Sequence, residues 1–310
     1  MMKPSCRALC FCMRGSSMVG LLLLLQPLGI VAQEMPPRRG GGVIHISPGC
    51  LPRDDQHVDL WCPGAAGYEC YKIPTLLRIP NTTHLLAFIE ARKHSCDDHG
   101  YVDLLLRRSS DNGKSWSPAT MIYSNSSETE WHTIGDALPV FDSWDGSVHL
   151  VFTRDNREAL LSRSVDQGAT WSEPRDISRS LVRRPGSFLG TGHDHGLQLR
   201  SGRLLVPMYG GGTGPFVACS DDHGASWHIA GQVPTSPTEW VMAEARERGG
   251  SELVASLRSE LGRLMSWSSD GGDTWTPPKR APGLPEPVGG CEGAMFLHPD
   301  GRSGRIDKFV

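Results

Sequence analysis

Positive charge is not in excess in this chain: 31 lysines and arginines face 34 aspartates and glutamates, for a formal net charge of −3. Bulk electrostatics therefore cannot recruit nucleic acid or an anionic membrane, and an anionic ligand must be met by cations gathered locally. Aromatic residues are scarce at 7%, whereas glycine contributes 36 residues and proline 23, so the chain turns often and long helices are not expected. No Cys/His spacing fits a zinc site. His193-Asp194-His195 crowds its donors into one tripeptide without a further placed ligand, so it reads as a polar loop, and neither metal nor cofactor is expected. An apolar stretch long enough for a bilayer is lacking too. The run from Met18 to Ala32 follows Lys3, Arg7 and Arg14, falls short of the roughly 20 residues a span needs, and is interrupted by Pro27. That is the pattern of a secretory signal peptide. The expected division is a signal peptide over 1–32, a flexible lead-in over 33–42 (QEMPPRRGGG), and one folded domain over 43–310, in an extracellular or lysosomal setting.

Loss of the leader leaves Cys50, Cys62, Cys70, Cys96, Cys219 and Cys291 in an oxidising compartment. Six cysteines allow fifteen pairings, and the sequence does not choose among them. Asn81-Thr82-Thr83 and Asn125-Ser126-Ser127 are glycosylation acceptor triplets, which agree with secretion.

One octapeptide, Ser-x-Asp-x-Gly-x-(Ser/Thr)-Trp, occurs four times: Ser109–Trp116, Ser164–Trp171, Ser220–Trp227 and Ser268–Trp275. Its aspartates, Asp111, Asp166, Asp222 and Asp270, stand 55, 56 and 48 residues apart, about one four-stranded sheet per step. The chemistry is that of a hairpin staple. Asp accepts backbone N–H groups across the turn, Gly takes an angle other residues resist, and Trp packs beneath. Short β-type runs flank the copies, as in Val102–Arg108 (VDLLLRR) and Gly262–Trp267 (GRLMSW). Repeats of this length with a hairpin turn favour a propeller over a solenoid.

With these turns the chain resembles the sialidase family, whose six-bladed propellers carry the same octapeptide, the Asp box. The resemblance implies an all-β, sialidase-like six-bladed β-propeller, with about four to five blades inside this chain. The box also occurs in unrelated propellers, so activity must be argued from the segments between the boxes. A sialidase binds a sugar whose anomeric carbon bears a carboxylate. It needs clustered cations, an acid for the departing oxygen, and a tyrosine nucleophile activated by glutamate, since a carboxylate nucleophile would be repelled.

Tyr71–Leu77 (YKIPTLL) resembles the family's Tyr-Arg-Ile-Pro motif, with Lys72 where the first carboxylate-binding arginine is expected. Lysine keeps the charge but loses the planar two-pronged donor. Leu85–Arg108 resembles the next segment, which implies Asp98 as the acid/base and Arg92 as a substrate-facing cation; Asp97 takes the role under a one-residue slip. His195–Tyr209 (HGLQLRSGRLLVPMY) resembles the family's following strand pair. Glu239–Arg258 resembles the segment with the family's glutamate base and second arginine, implying Glu239 as the base, Glu244 as the alternative, and Arg258 as a carboxylate ligand.

Val288–Phe296 resembles the opening of a fifth blade, and the resemblance covers roughly residues 68–298. No match to the family's third arginine or nucleophilic tyrosine precedes Val310; Tyr68, Tyr71, Tyr101, Tyr123 and Tyr209 all lie outside the tyrosine motif. A C-terminally incomplete copy is the expectation. The implied function is exo-α-sialidase action on sialylated glycoproteins, oligosaccharides or gangliosides, with membrane contact only through a glycolipid substrate. The alternative is a non-catalytic sialoglycan-binding propeller, and trans-sialylation is not separable from hydrolysis at this level. An acid and a base favour the enzyme; Lys72 favours the binder.

Overall fold

The computed structural model describes residues 58–295 apart from 237, 246–251, 261, 285 and 288. The expected leader, lead-in and domain start lie outside the described residues, as does Cys50. Four antiparallel sheets follow one another along the chain. The first comprises β1 (Cys70–Arg78), β2 (Leu85–Arg92), β3 (Val102–Ser109) and β4 (Thr120–Tyr123). The second comprises β5 (Ile134–Asp142), β6 (Ser147–Arg154), β7 (Glu158–Ser164) and β8 (Arg175–Asp176). The third contains β9 (Leu189–Thr191), β10 (Leu197–Gln198), β11 (Leu204–Gly210), β12 (Phe216–Ser220) and β13 (His228–Gln232). The fourth contains β14 (Trp240–Ala245), β15 (Glu252–Leu257), β16 (Leu264–Ser268) and β17 (Lys279–Arg280). Among the described residues, helix is confined to one turn at α1 (Ser178–Leu181) and a 3-10 turn at Ala65–Gly67.

Burial is graded across each sheet, and the sequence says why. The second strand of the first sheet, LLAFIEAR, is buried at every position, because it has neighbours in its own sheet, packs one face on the second sheet and has the other covered by Tyr71, Trp61 and Tyr68. The fourth strands, such as RD in β8 and KR in β17, are polar and exposed. The core lies between sheets. Leu86, Phe88 and Leu104 of the first sheet pack on Ile134, Leu150 and Phe152 of the second; Leu138 and Val151 of the second meet Val206 and Met208 of the third. Leu205 and Val217 of the third then meet Trp240 and Leu253 of the fourth. Phe88 and Phe152 are wholly buried, each contributing about 1.5–3 kcal/mol from apolar transfer.

Each octapeptide joins the third strand of its sheet to the fourth. Asp166 accepts hydrogen bonds from Ser164 Oγ, Thr170 N and Thr170 Oγ1, and Asp111, Asp222 and Asp270 repeat the pattern. Two successive residues are left-handed in every copy: Asn112 and Gly113 (φ 61° and 85°), Gln167 and Gly168 (59° and 79°), His223 and Gly224 (57° and 81°), Gly271 and Gly272 (73° and 93°). That pair of angles gives the tight hairpin whose twist suits the flanking strands. The indole N–H of Trp116, Trp171 and Trp275 donates to the turn glycine's carbonyl at 3.0, 3.2 and 3.1 Å. Trp227 departs from this, its buried Nε1 lacking a protein acceptor.

From the second sheet onward each turn also sits on the sheet before it. Gly168 meets Leu86, Gly224 meets the His149 ring, and Gly272 meets Val217. A Cβ on Gly224 would approach His149 to 2.2 Å while holding φ at +81°. Gly224→Ala should therefore cost about 2–4 kcal/mol in urea denaturation, combining left-handed backbone strain with overpacking. Gly146→Ala is the control, since Gly146 has φ +76° but open space around it. Equal losses in the two variants would show that the contact with the preceding sheet carries no energy.

Candidate active site

The first strand of each of the first three sheets is irregular, and ionisable residues collect at the irregularities, whereas that of the fourth keeps a regular register. Pairing of β1 with β2 slips between Lys72 and Thr75, with Ile73 at φ 54°; pairing of β5 with β6 slips between Gly135 and Leu138, with Asp136 at φ 56°. In the third sheet β9 and β10 both pair with β11, so they are two halves of one inner strand, and residues 192–196 form an excursion between them. In the fourth sheet Glu239 immediately precedes β14, and Arg258, just past β15, donates its backbone N–H to Glu239 O at 3.0 Å. Bulges re-aim side chains that a regular strand would send into its own sheet.

An array of ionic and hydrogen-bonded contacts results, in two runs that are coupled only through the charges of Asp136 and His193. Lys72 Nζ lies 3.5 Å from Asp98 Oδ1, which Arg92 Nη1 meets at 2.8 Å. Arg92 also donates to Glu90 Oε2 from Nε and Nη2 at 3.2 and 2.7 Å, and to the carbonyls of Cys96 and Asp97 at 2.9 and 2.7 Å. Glu90 Oε1 accepts the backbone N–H of Asp136 at 2.9 Å, while Asp136 Oδ2 accepts from Thr153 Oγ1 and Asn156 Nδ2 at 3.2 and 2.8 Å. His193 stands between two glutamates, its Nε2 3.8 Å from Glu239 Oε1 and its Nδ1 3.5 Å from Glu292 Oε2. At these lengths both contacts are ion pairs rather than hydrogen bonds. Glu239 then pairs with Arg258.

All five residues singled out in the sequence belong to this array. Asp98 is 78% exposed and Arg92 only 3%, so the arginine is a buried strut under an accessible carboxylate. Asp97, the one-residue alternative, directs its side chain to Ser95 and lends Arg92 only its carbonyl. Glu244 lies towards the far end of β14, opposite Leu253, whereas Glu239 meets both His193 and Arg258. The sequence reading missed Glu90, Asp136, His193 and Glu292. For Glu90 a signal existed: a carboxylate two residues from an arginine, on the same face of an otherwise apolar strand. The His-Asp-His segment is a loop as expected, yet His193 within it is buried.

Electrostatics divides the acids into two sets. Burial pushes the Glu90 carboxyl up despite Arg92, and burial followed by the charge of Glu90 pushes Asp136 up to about 7. Burial also opposes ionisation of Glu239, but His193 and then Arg258 outweigh it and bring the carboxyl down to about 2. Burial works against the His193 cation, yet Glu292, Glu239 and Asp136 raise it to about 10. Asp98 lies below the ordinary aspartate value, because Arg92 and then Lys72 overcome its desolvation. Although His193, Glu239 and Glu292 have ligand atoms within 4.8 Å of one another, a protonated imidazole has no lone pair to give a metal ion.

A disulfide between Cys70 and Cys96 ties β1 to the loop that carries Asp98, resolving part of the connectivity that the sequence left open. The bridge closes a sequence separation of 26 residues, worth about 3.5 kcal/mol by chain entropy. Cys96→Ser should lower stability by up to about that amount. Its effect on any chemistry through Asp98 should be larger than global destabilisation explains, because the Cys96 and Asp97 carbonyls hold Arg92. Turnover measured well below the variant's melting temperature separates the two; unchanged turnover there would show that the loop keeps its place without the bridge.

The chain matches the BNR repeat-like domain family over residues 83–302. It is 31% identical to Sialidase-4 of Mus musculus, the match covering 77% of this chain and 57% of that protein, and 30% identical to Sialidase-3 of Rattus norvegicus, covering 73% and 62%. The chain thus spans little more than half the length of these relatives. Among solved structures, the Hadza microbial sialidase Hz136 superposes with a TM-score of 0.66 at 25% identity, covering 77% of this chain and 52% of that one. The intramolecular trans-sialidase from Ruminococcus gnavus, solved with oseltamivir carboxylate, gives 0.66 at 16% identity over 76% of each chain, a likeness of fold alone. The four sheets are four blades of a β-propeller whose ring is not closed among the described residues.

Proposed function

This chain belongs to the sialidase family, and on that premise we propose that it is an exo-α-sialidase acting on terminal sialic acid of a sialylated glycan. The observation that carries the reading is the array from Lys72 and Asp98 on the first blade to Glu239 and Arg258 on the fourth, its two runs of contacts coupled through the charges of Asp136 and His193. Arg258, one-third exposed, and Lys72 offer the substrate carboxylate two cations from opposite ends of the array. Asp98, accessible and held by Arg92, protonates the departing glycosidic oxygen and afterwards deprotonates water. Arg92 serves by positioning that carboxylate, since its donors are already engaged.

Glu239 is ionised across the whole working range of pH and can take the proton of a tyrosine nucleophile. Tyr209 does not fill that role, and with no other tyrosine of residues 1–310 in the family's motif, full turnover is expected only of a chain that also carries that motif. Tyr209 feels Glu239, but burial first, and then the charges of Asp136, Glu239 and Glu292, hold its phenol protonated. Secretion to the cell exterior or to lysosomes belongs to the same proposal and rests on the leader pattern at 1–32.

Lys72 favours a second reading, a sialoglycan-binding propeller without turnover, because a point-charge ammonium holds a carboxylate less firmly than a forked guanidinium. The deciding experiment incubates the protein with 3′-sialyllactose and measures free sialic acid alongside binding by calorimetry. Release supports the hydrolase; binding without release transfers preference to the binder; neither removes both.

A further inference from the structure

The sequence contains no zinc-type spacing, yet folding assembles three metal-ligating side chains that are far from any such motif. Cys219 on β12 and His228, which opens β13, are direct cross-strand partners, and Asp221 follows Cys219 on the same face two residues later. Cys219 Sγ lies 3.1 Å from His228 Nε2, which lies 3.7 Å from Asp221 Oδ2; all three donor atoms fall within 4.8 Å of one another. Tetrahedral zinc, with bonds of about 2.3 Å to sulfur and about 2.0–2.1 Å to nitrogen or oxygen, separates its ligand atoms by about 3.3–3.6 Å. The two separations that involve His228 therefore need to change by only a few tenths of an ångström. None of its members takes part in the array from Lys72 to Arg258.

We propose that Cys219, Asp221 and His228 bind a borderline-soft divalent cation of the zinc type, with solvent in the fourth position. The donor set selects this class, since a thiolate and an imidazole favour zinc over calcium or magnesium, which take oxygen ligands. The surroundings complete it. Arg203 donates to Asp221 Oδ1 and Oδ2 at 2.7 and 3.3 Å and to Asp273 Oδ1 at 2.7 Å, so the ligating carboxylate is already oriented by an outer partner. Binding replaces the thiol proton by the metal–sulfur bond, the proton leaving to solvent. One dication then balances the Cys219 thiolate, Asp221 and Asp273 against Arg203, and the cluster becomes neutral. Without a metal, burial above all keeps the thiol protonated, its pKa pushed up to about 11. Access is from outside: His228 and Asp221 are about half exposed, whereas the sulfur forms the buried floor. The ion clamps the first and last residues around the third blade's Asp-box turn, a structural rather than catalytic place.

The test is titration of the full chain with cobalt chloride, followed by displacement with zinc chloride. The expected result is one equivalent of bound cobalt, with a thiolate-to-cobalt charge-transfer band in the near ultraviolet and visible bands of a four-coordinate ion, all erased by zinc. Cys219→Ser and His228→Gln should each abolish the charge-transfer band and weaken apparent zinc affinity at least tenfold. Cys291→Ser should leave both intact. His228 is exposed enough for glutamine to be tolerated, and circular dichroism confirms that the buried Cys219→Ser variant remains folded. Absence of the band with cobalt in tenfold excess overturns the proposal. So does a band that survives either triad substitution, or one lost only with Cys291.

Discussion

Glu239→Gln is expected to reduce sialic acid release from a natural sialoside by about two to four orders of magnitude, the range for loss of a positioned general base. The substitution nearly preserves shape, so the loss is one of charge. Glu239 also helps to hold His193 protonated up to about pH 10, and its removal leaves Glu292 and Asp136 for that task. The His193 midpoint should therefore fall, a change visible in its ring proton resonance during a pH titration. The sign for stability follows from the same shift. A histidine whose folded pKa is raised contributes stability in full below its unfolded value near 6.5, and loses it as pH rises towards about 10. In the variant that loss should still begin near 6.5 but be complete at lower pH. Undiminished turnover would remove Glu239 as the base, and a larger effect from Glu244→Gln would install the alternative.

Asp98→Asn should separate substrates by their leaving groups. Turnover of 3′-sialyllactose should fall by about two to four orders of magnitude, whereas an umbelliferyl sialoside, whose phenolate leaves without proton assistance, should lose about tenfold or less. Equal losses on the two substrates would mean that Asp98 positions rather than protonates. Arg92 and Lys72 hold this carboxyl below the ordinary aspartate value against the effect of burial, so its acid form is populated only at low pH. The rate should accordingly rise as pH falls towards the Asp98 value. Lys72→Met, by removing one of the two cations, should move that acid-dependent limb to higher pH.

The four turns were legible because their chemistry is local: within eight residues the chain specifies the aspartate's acceptors, the left-handed pair and the indole beneath. Asp98 and Arg258 were legible for a related reason, each standing at a countable distance from a strand with a recognisable pattern. Asp136 and His193 were not. Their importance comes from bulges in two different inner strands that bring them beside Glu90 and Glu239, 46 residues away in each case, and no local pattern encodes such a meeting. The Cys70–Cys96 bridge was hidden likewise, since six candidate thiols looked alike until β1 and the Asp98 loop were neighbours. Residues used for their burial or their distant partners stay silent in the sequence; those used for turn chemistry announce themselves.

The seating of each Asp-box turn on the sheet before it gives the assembly a direction in time. Gly168 needs Leu86, Gly224 needs His149, and Gly272 needs Val217, and in every case the landing residue precedes the turn in the chain. During synthesis the earlier sheet has therefore already left the ribosome when the later hairpin emerges, and domains are generally made and folded from their N-terminal side. A hairpin closing out of turn would find no surface beneath its glycine. The contacts thus act as a ratchet: each completed blade is the template on which the next one locks, and a lesion at one seat, such as alanine at 224, should stall every blade downstream of it while sparing those already formed.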